Sequence, residues 1–174
     1  MGKTKVMVFG SYTKNQSTLA KIKVNEESID YVTSCRYLGF YLTSSIHFKL
    51  SVNEDLRSFF GSVNSILTSM LKPKENVWMH LLFSNCVPKL TYGAAVKQLN
   101  AAESHQYNVA LNNAIRRIFG FRRWQSIRQI REVYGYDSIE VMFAKAAKRF
   151  HLSLSNHQND VLNFLSTLDV ELVS

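Results

Sequence analysis

The chain has 174 residues, of which 46% are hydrophobic and 20% are charged, which is the composition of a globular protein rather than a disordered one. Its 7 glycines and 2 prolines are too few for a collagen-like or turn-dense all-β protein. The net charge of +8 is concentrated in residues 1–24 (+5) and 112–149 (+6), whereas residues 151–174 carry −3. Such localised basic charge favours contact with an acidic polymer such as nucleic acid.

The cysteine content and the hydropathy exclude two further classes of protein. Cys35 and Cys86 lie far apart and form no CxxC pair, which argues against a zinc ribbon or a redox motif and predicts two buried thiols in a reducing compartment. No run of residues approaches the ~18 apolar residues of a membrane span, and the N-terminal apolar stretch is too short for a signal peptide. The sequence predicts a soluble, intracellular protein without a membrane partner, in either the nucleus or the cytoplasm.

The first 48 residues are predicted to form a small antiparallel β-sheet. Runs rich in β-branched and aromatic residues predict strands at residues 3–9, 19–24, 29–33 and 36–43. Between the second and third of these, residues 25–28 predict a polar turn. Gly39, inside the last run, predicts a bulge or a close approach of the backbone.

From about residue 49 the apolar residues recur with the period of a helix. A first helix of about six turns is predicted to run from Val52 to Leu71, with Glu54 and Asp55 in solvent. Its buried face is predicted to consist of Val52, Leu56, Phe59, Val63, Ile66 and Met70. A second helix is predicted from about Asn76 and should be kinked or ended at Pro88.

Four further helices are predicted in the C-terminal half. The first covers residues 102–119, with Gly120 just past its end. A short helix follows, whose apolar residues are Ile127, Ile130, Val133 and Tyr134. Asp137 is predicted to cap the next helix with Glu140 as its capping-box partner, and a last helix covers residues 161–168. The predicted fold is α+β and mainly α, with a small antiparallel sheet (residues 1–48) followed by a helical bundle (49–174).

No catalytic residue and no metal site is predicted. Two-metal phosphoryl transfer needs clustered carboxylates, but the aspartates stand far apart, at positions 30, 55, 137, 160 and 169. The pair Glu54 and Asp55 is predicted to be a solvated helical turn rather than a metal site. The 5 histidines do not pair at helical spacing, which argues against a zinc site. No cofactor and no small-molecule substrate is therefore expected for this chain.

The basic residues are the candidate binding site. Arginine can hold a phosphate with two parallel hydrogen bonds, and arginines dominate the second basic cluster. The predicted nucleic-acid-binding residues are Lys3, Lys5, Arg116, Arg117, Arg122, Arg123, Arg128, Arg131, Lys145, Lys148 and Arg149. Trp124 is a candidate for stacking on an exposed end of the nucleic acid. Two alternatives stay open, namely a solvated basic surface and arginines that pair with acidic residues such as Asp160, Asp169 and Glu171.

Four segments, in the same order, resemble the reverse transcriptases of non-LTR (LINE-type) retrotransposons. Residues 3–9 resemble the Lys-Thr-x-x-Met-x-Phe segment that follows the catalytic motifs of that family. Residues 35–42 resemble its Tyr-Leu-Gly hairpin, the primer-grip motif. Residues 87–93 resemble Val-x-Pro-x-Leu-x-Tyr-Gly of the thumb, with one residue fewer between Val and Pro, and residues 111–120 resemble its Arg-x-Ile-x-Gly helix end.

The resemblance implies that residues 1–48 are the end of a palm and residues 49–174 a thumb. It assigns Tyr37, Leu38 and Gly39 to a primer grip and implies a template–primer duplex of RNA and DNA as the partner. A complete family member uses Mg²⁺, but the catalytic block with its Ala-Asp-Asp turn precedes the first of these segments in the family. The chain is therefore expected to be a catalytically incomplete C-terminal fragment whose remaining role is to bind nucleic acid.

Two other functions remain open at this stage. The chain could be a stand-alone basic α-helical module that binds nucleic acid. It could also be an interaction protein that binds a partner through an aromatic face of the sheet, for which the candidates are Tyr12, Tyr31, Tyr37, Phe40 and Tyr41. Sheet packing is the simpler explanation of those aromatic residues. The oligomeric state is not predicted.

Overall fold

A computed structural model describes residues 4–11, 19–24, 27–46, 49–69 and 73–155. The predictions for Lys3, Tyr12, Met70 and the helix at 161–168 lie outside these residues, as do the acidic residues beyond 155. The chain divides into two compact units, residues 1–54 and 55–174. The predicted fold class, α+β and mainly α with antiparallel strands preceding the helices, is confirmed.

The N-terminal unit contains two small antiparallel sheets. In the first, β1 (Lys23–Val24) pairs with β2 (Glu27–Ser28), so that Val24 is opposite Glu27. In the second, β4 (Phe40–Thr43) lies between β3 (Ser34–Tyr37) and β5 (Lys49–Leu50). The predicted sheet ended at residue 43, but β5 extends it beyond the predicted domain boundary at 48.

Three of the predicted strands are wrong in extent. Residues 4–9 form one isolated parallel bridge, in which Val6 is opposite Tyr31. Regular strand pairing does not continue on either side of that position. The strand predicted at 19–24 is reduced to β1. Residues 29–33, predicted as a strand, contribute only the Tyr31 bridge, whereas Glu27 and Ser28 of the predicted polar turn form β2. The β-propensity of these runs is satisfied only where a partner strand is in reach.

Residues 36–43, predicted as one strand from their β-propensity, belong to a hairpin with a two-residue turn, which is the local structure that the resemblance implied for residues 35–42. Tyr37 is directly opposite Phe40, so Leu38 and Gly39 form the turn between β3 and β4. Both residues have positive φ, 45° for Leu38 and 84° for Gly39, as a type I′ turn requires. The predicted bulge at Gly39 is therefore wrong, because glycine here provides the backbone conformation of a tight turn.

Six α-helices occur between residues 52 and 155 of the described chain. They are α1 (Val52–Ser69), α2 (Glu75–Leu81), α3 (Val87–Thr91), α4 (Ala101–Ile118), α5 (Arg128–Tyr134) and α6 (Ile139–Ser155). In α1 the predicted apolar face is right at its centre, where Phe59 and Val63 are fully buried. Val52, Leu56 and Ile66, predicted to be buried, are half-buried.

Pro88 neither ends nor breaks the second helical run. Residues Leu82–Cys86 form a π-helical segment between α2 and α3, and Pro88 lies in the first turn of α3. A proline is tolerated in a first turn because its missing N–H needs no partner there. The π-helical segment joins α2 to this first turn of α3, so the helical run continues to Thr91.

The core of the helical unit lies around α4. Tyr107, Leu111, Ala114 and Ile115 of α4 are fully buried, as are Leu82, Cys86 and Leu90 of the preceding run. Helix α4 contacts α2 and α6, and α6 also contacts α3. Burial raises the pKa of the Cys86 thiol, while Lys89 acts in the opposite direction. Both cysteines are free thiols, and Cys86 is buried as predicted, whereas Cys35 of β3 is only half-buried.

Helix α4 begins one residue earlier than predicted. Asn100 is its N-cap, and the Asn100 side chain accepts a hydrogen bond of 2.9 Å from the Glu103 backbone N–H. The Glu103 carboxylate accepts one of 3.1 Å from the N–H of Asn100, which completes a capping box. This spacing of Asn and Glu is visible in the sequence and could have located the helix start.

Candidate nucleic-acid interface

The C-terminal end of α4 turns the chain sharply towards the surface. The Phe121 N–H donates to the Arg116 carbonyl at 2.8 Å, and the Gly120 N–H donates to the Arg117 carbonyl at 3.4 Å. This hydrogen-bond pair is a Schellman motif, with Gly120 at φ 65° in the left-handed position, and it confirms the predicted role of Gly120. The motif stops α4 and directs the following residues away from its axis.

Residues 121–126, called the basic turn below, follow this helix end in an ordered conformation. The Gln125 N–H donates to the Arg122 carbonyl at 3.0 Å, and the Gln125 side chain accepts a bond of 2.5 Å from the Arg122 N–H. The guanidinium of Arg122 lies over the Trp124 ring, 5.4 Å from its centroid. Arg123 is exposed, and Trp124 is 76% exposed.

The two arginines of the last turn of α4 are partly engaged with the protein. Arg116 donates from Nε to the Gln125 carbonyl at 3.0 Å and from Nη1 to Asn113 Oδ1 at 3.2 Å. The first of these bonds joins the basic turn to α4. Arg117 is exposed and donates to Asn64 Oδ1 of α1 at 2.8 Å. Arg116 therefore has a supporting role in addition to its charge.

Arg131 lies in a half-buried aromatic environment. Its guanidinium is 5.5 Å from the centroid of the Tyr136 ring, and that ring lies 5.2 Å from the ring of Phe83. Burial raises the pKa of Tyr136, although the charges of Arg131 and Arg116 oppose this shift. Arg131 is thus packed against the protein on one face, whereas Arg122 and Arg123 extend into solvent.

The remaining predicted cations have local partners or lie on other elements. Arg128 pairs with Glu132 at 3.0 Å across one turn of α5, and Lys145 of α6 pairs with Asp137 at 2.6 Å. Arg149 donates from Nε to the Lys145 carbonyl at 3.2 Å, and Lys148 is exposed. The hydrogen bonds therefore join Arg116 to the basic turn that carries Arg122, whereas Arg131 packs against Tyr136 and Arg149 bonds within α6.

The segment that contains the basic turn carries charge of one sign. Residues 104–131 contain six arginines and neither Asp nor Glu. An exposed like-charged region with no acid in its own segment attracts anions over a distance of about a Debye length, roughly 8 Å at physiological salt.

The residues of the predicted primer grip lie at the surface of the N-terminal unit, whereas most of the other aromatic candidates are half-buried. Tyr37 and Leu38 at the tip of the β3–β4 hairpin are 62% and 72% exposed. Leu38 holds a positive φ that a branched, non-glycine residue rarely adopts. Of the other aromatic candidates, Tyr31, Phe40 and Tyr41 are half-buried. Lys5 is exposed next to the Val6 bridge.

A buried polar cluster was missed by the sequence analysis. Asp55 was predicted to be solvated, but its side chain is only 17% exposed, and that of Lys97 is 4% exposed. Lys97 Nζ and the Tyr107 hydroxyl both donate to Asp55 Oδ2. Burial, together with this hydrogen bond, raises the pKa of Tyr107 far above its ordinary value. No local sequence pattern predicts this cluster, since its members come from three separate segments of the chain.

The cluster and one further hydrogen bond show the relative direction of two helices. Asp55 of α1 contacts Tyr107 of α4, and Asn64 of α1 contacts Arg117 of α4. The contact positions advance together along both helices over about 14 Å, at 1.5 Å per residue. Helices α1 and α4 therefore run side by side and parallel, and this arrangement supports the end of α4 from which the basic turn departs.

The start of α6 is joined to α4 by a second polar network. Ser138, rather than the predicted Asp137, caps α6, since the Val141 N–H is 3.5 Å from Ser138 Oγ. Glu140 is not a capping-box partner either. It accepts bonds of 2.5 Å from both Ser104 Oγ and Asn108 Nδ2 of α4. The hydrogen bond from Ser104 is the main reason that the pKa of Glu140 falls to about 2.

One predicted apolar position of α5 is wrong. Val133 was assigned to the apolar face with Ile127 and Ile130, which are buried, but it is 81% exposed. The other predicted apolar residue, Tyr134, is half-buried, with its ring 5.8 Å from that of Phe119.

Neither a metal cluster nor a membrane-spanning helix was found in the part of the chain that the structure describes. No three His, Cys, Asp or Glu residues there come together in a group that could hold a metal ion. None of the described helices has the length and apolar character that a membrane crossing requires.

No protein-family model, curated protein or solved structure that was compared with this chain matches it.

Proposed function

We propose that this chain binds the phosphate backbone of nucleic acids through the basic turn and the adjoining arginines of α4. The observation that carries the proposal is the exposed pair Arg122 and Arg123 on a hydrogen-bonded turn, within an acid-free segment of six arginines, residues 104–131. Arginine binds phosphate oxygens in a two-point geometry, and a preorganised backbone turn reduces the entropy lost on binding. Few groups near the turn could read base edges, so the contact is largely independent of sequence.

The resemblance to LINE-type reverse transcriptases places this activity in a template–primer grip. In this proposal the chain is a catalytically incomplete part of such a polymerase, with the helical unit as its thumb. The hairpin tip with Tyr37, Leu38 and Gly39 approaches the primer strand. The exposure of Tyr37 and Leu38 supports a role for the tip in a contact with another molecule.

A salt titration tests the binding proposal. The affinity for a short labelled DNA duplex should fall with salt with a log–log slope of about −0.9 for each phosphate contacted. Replacing both Arg122 and Arg123 by Ala should reduce the magnitude of that slope by up to about two and weaken binding to all sequences alike. The matched control replaces Lys74 and Lys89, two exposed cations outside residues 104–131, by Ala.

Three results would contradict the proposal. The first is an absence of duplex binding at low salt, and the second is an equal loss of affinity in the control variant. The third is a double Arg variant that binds normally but unfolds more easily, since its arginines would then serve the fold through acidic partners.

The chain is expected to have no polymerase activity of its own, because its aspartates are dispersed in sequence. Purified protein with a primed RNA template, deoxynucleotides and Mg²⁺ or Mn²⁺ should not extend the primer. Extension above a protein-free control would refute this expectation and with it the description as a catalytically incomplete part.

A protein-interaction role is the second candidate, and the exposed hairpin tip favours it. Such a contact would depend on Tyr37 and Leu38, which are exposed hydrophobic residues without charge. The two functions differ in their response to salt, because apolar contacts are not weakened by added salt whereas phosphate contacts are.

A further inference from the structure

Trp124 is the most exposed aromatic side chain in the part of the chain that the structure describes. It is 76% exposed, whereas Trp78, the other tryptophan, is 8% exposed in the core. A large aromatic ring in solvent does not gain the free energy that burial would provide, and this free energy is available to a ligand that covers the ring.

The ring is held by an ordered backbone. Trp124 lies inside the hydrogen-bonded turn from Arg122 to Gln125, and Arg116 fixes the far side of that turn through the Gln125 carbonyl at 3.0 Å. The Schellman motif at Gly120 anchors the turn to α4. A base that stacks on Trp124 would therefore meet a ring whose backbone is already in place.

The surroundings of the ring indicate which kind of ligand fits it. The Arg122 guanidinium lies 5.4 Å from the ring centroid, Arg123 is exposed beside it, and residues 104–131 contain no acid. An aromatic face next to guanidinium groups matches a ligand that has flat π-systems and negative charges at short intervals. A single-stranded nucleic acid has both, whereas the bases of an uninterrupted duplex have no free face.

We infer that Trp124 and Arg122 form a stacking platform for an unpaired base, with Arg123 on the neighbouring phosphate. The inference rests on the proposed function and narrows it to nucleic acids that carry a single-stranded segment, at an overhang or a junction. Stacking accepts any base, which agrees with binding that does not depend on sequence.

A competition experiment separates stacking from phosphate binding. Two competitors are matched in total phosphate, namely a relaxed, covalently closed duplex minicircle and a linear duplex with a single-stranded extension. The unmodified chain should bind the extended duplex about tenfold more tightly than the minicircle. Trp124→Ala should remove this preference, and Trp124→Phe should keep part of it because an aromatic face remains. Val133→Ala, which shortens another highly exposed apolar side chain, should leave it unchanged.

Tryptophan fluorescence gives a direct reading of the contact. An unlabelled single-stranded oligonucleotide should quench the emission of the unmodified chain. It should have little effect on the Trp124→Phe variant, whose remaining tryptophan, Trp78, is buried. Equal quenching of the two proteins would overturn the platform, because the signal would then not come from Trp124.

The outcomes distinguish this inference from the function on which it rests. Salt-dependent binding of the minicircle without a preference for the extended duplex overturns the stacking platform alone. Absence of binding to both DNAs overturns the proposed function as well. Quenching of Trp124 by poly-glutamate as strong as that by the oligonucleotide assigns the surface to an acidic protein and overturns the platform.

Discussion

Two polar regions of the helical unit use charge in opposite ways. Asp55, Lys97 and Tyr107 form a buried cluster in which every charge faces an opposite charge or a hydrogen-bond donor. In the basic turn, Arg122 and Arg123 extend into solvent, and the nearest acid in the sequence is Glu132. The first region joins α1 to α4 and the segment before it, whereas the second leaves its charge available for a partner.

Stability and binding should therefore depend on different charged residues of this unit. A charge taken out of water is costly without its partner, so disruption of the buried cluster should act on folding. An exposed arginine gains little from the fold, so its loss should act on a ligand. Substitutions in and near the two regions test whether their residues act on folding or on binding.

Replacing Asp55 by Asn should reduce the free energy of unfolding by about 3–5 kcal/mol, because Lys97 is then buried without its counter-charge. Urea denaturation of both proteins measures the difference. The double variant Asp55→Asn with Lys97→Met should recover much of the loss, since it removes both charges. Equal losses in the single and double variants would show that the cluster is not an ion pair that supports the fold.

Replacing Phe59 by Ala should cost a similar amount, about 3–5 kcal/mol, through packing alone. Phe59 lies one turn after Asp55 on α1 and is fully buried. The two variants thus compare the loss of a charge partner with the loss of apolar volume on the same helix, and urea denaturation again measures both. A cost near zero for Phe59→Ala would place this face of α1 outside the core.

Replacing Leu38 by Asn should stabilise the N-terminal unit by about 0.5–1 kcal/mol. Leu38 has a φ of 45°, and Asn tolerates this region much better than Leu, particularly before a glycine in a type I′ turn. The shift in the thermal midpoint measures the effect. A stabilised variant that binds duplex DNA less well would identify Leu38 as a residue kept for contact at the expense of stability. A destabilised variant would contradict the strain at this position.

Replacing Glu140 by Gln should have an effect that depends on pH. The pKa of Glu140 is lowered to about 2 in the folded chain from an ordinary value of 4.5, mainly by its bond from Ser104. A lowered carboxyl pKa stabilises the folded state above pH 4.5, and this contribution is lost as the pH falls from 4.5 towards 2. The stability difference between the two proteins should therefore shrink over that interval. A difference independent of pH would show that the carboxylate charge is not involved.

Replacing both Arg122 and Arg123 by Ala should change the free energy of unfolding by no more than about 0.5 kcal/mol. Urea denaturation of this variant and of Asp55→Asn compares their free energies of unfolding directly, since both changes remove charged groups from the same unit. A loss of stability as large as that of Asp55→Asn would end the distinction between the two regions.

Much of the helical unit could be predicted because local chemistry determines it. The period of apolar residues located α1 and α4, and Gly120 marked the end of α4 as the hydrogen bonds confirm. The run of arginines is likewise a property of the sequence. In the N-terminal unit the same reasoning gave strands of the wrong extent, because a strand exists only where a second segment pairs with it.

Other features were decided by tertiary structure alone. Asp55 looked like a solvated residue of a first helical turn, and only the packing of α1 beside α4 brings Lys97 and Tyr107 to it. The π-helical segment that accommodates Pro88 and the hydrogen bonds of Glu140 to α4 are equally invisible in a local pattern. Helix periods, helix ends and the distribution of charge can be predicted from the sequence, since these depend on residues within a few positions of one another. The pairing of strands and the burial of charges require contact between segments that are distant in sequence. They therefore depend on the free energy of the whole fold.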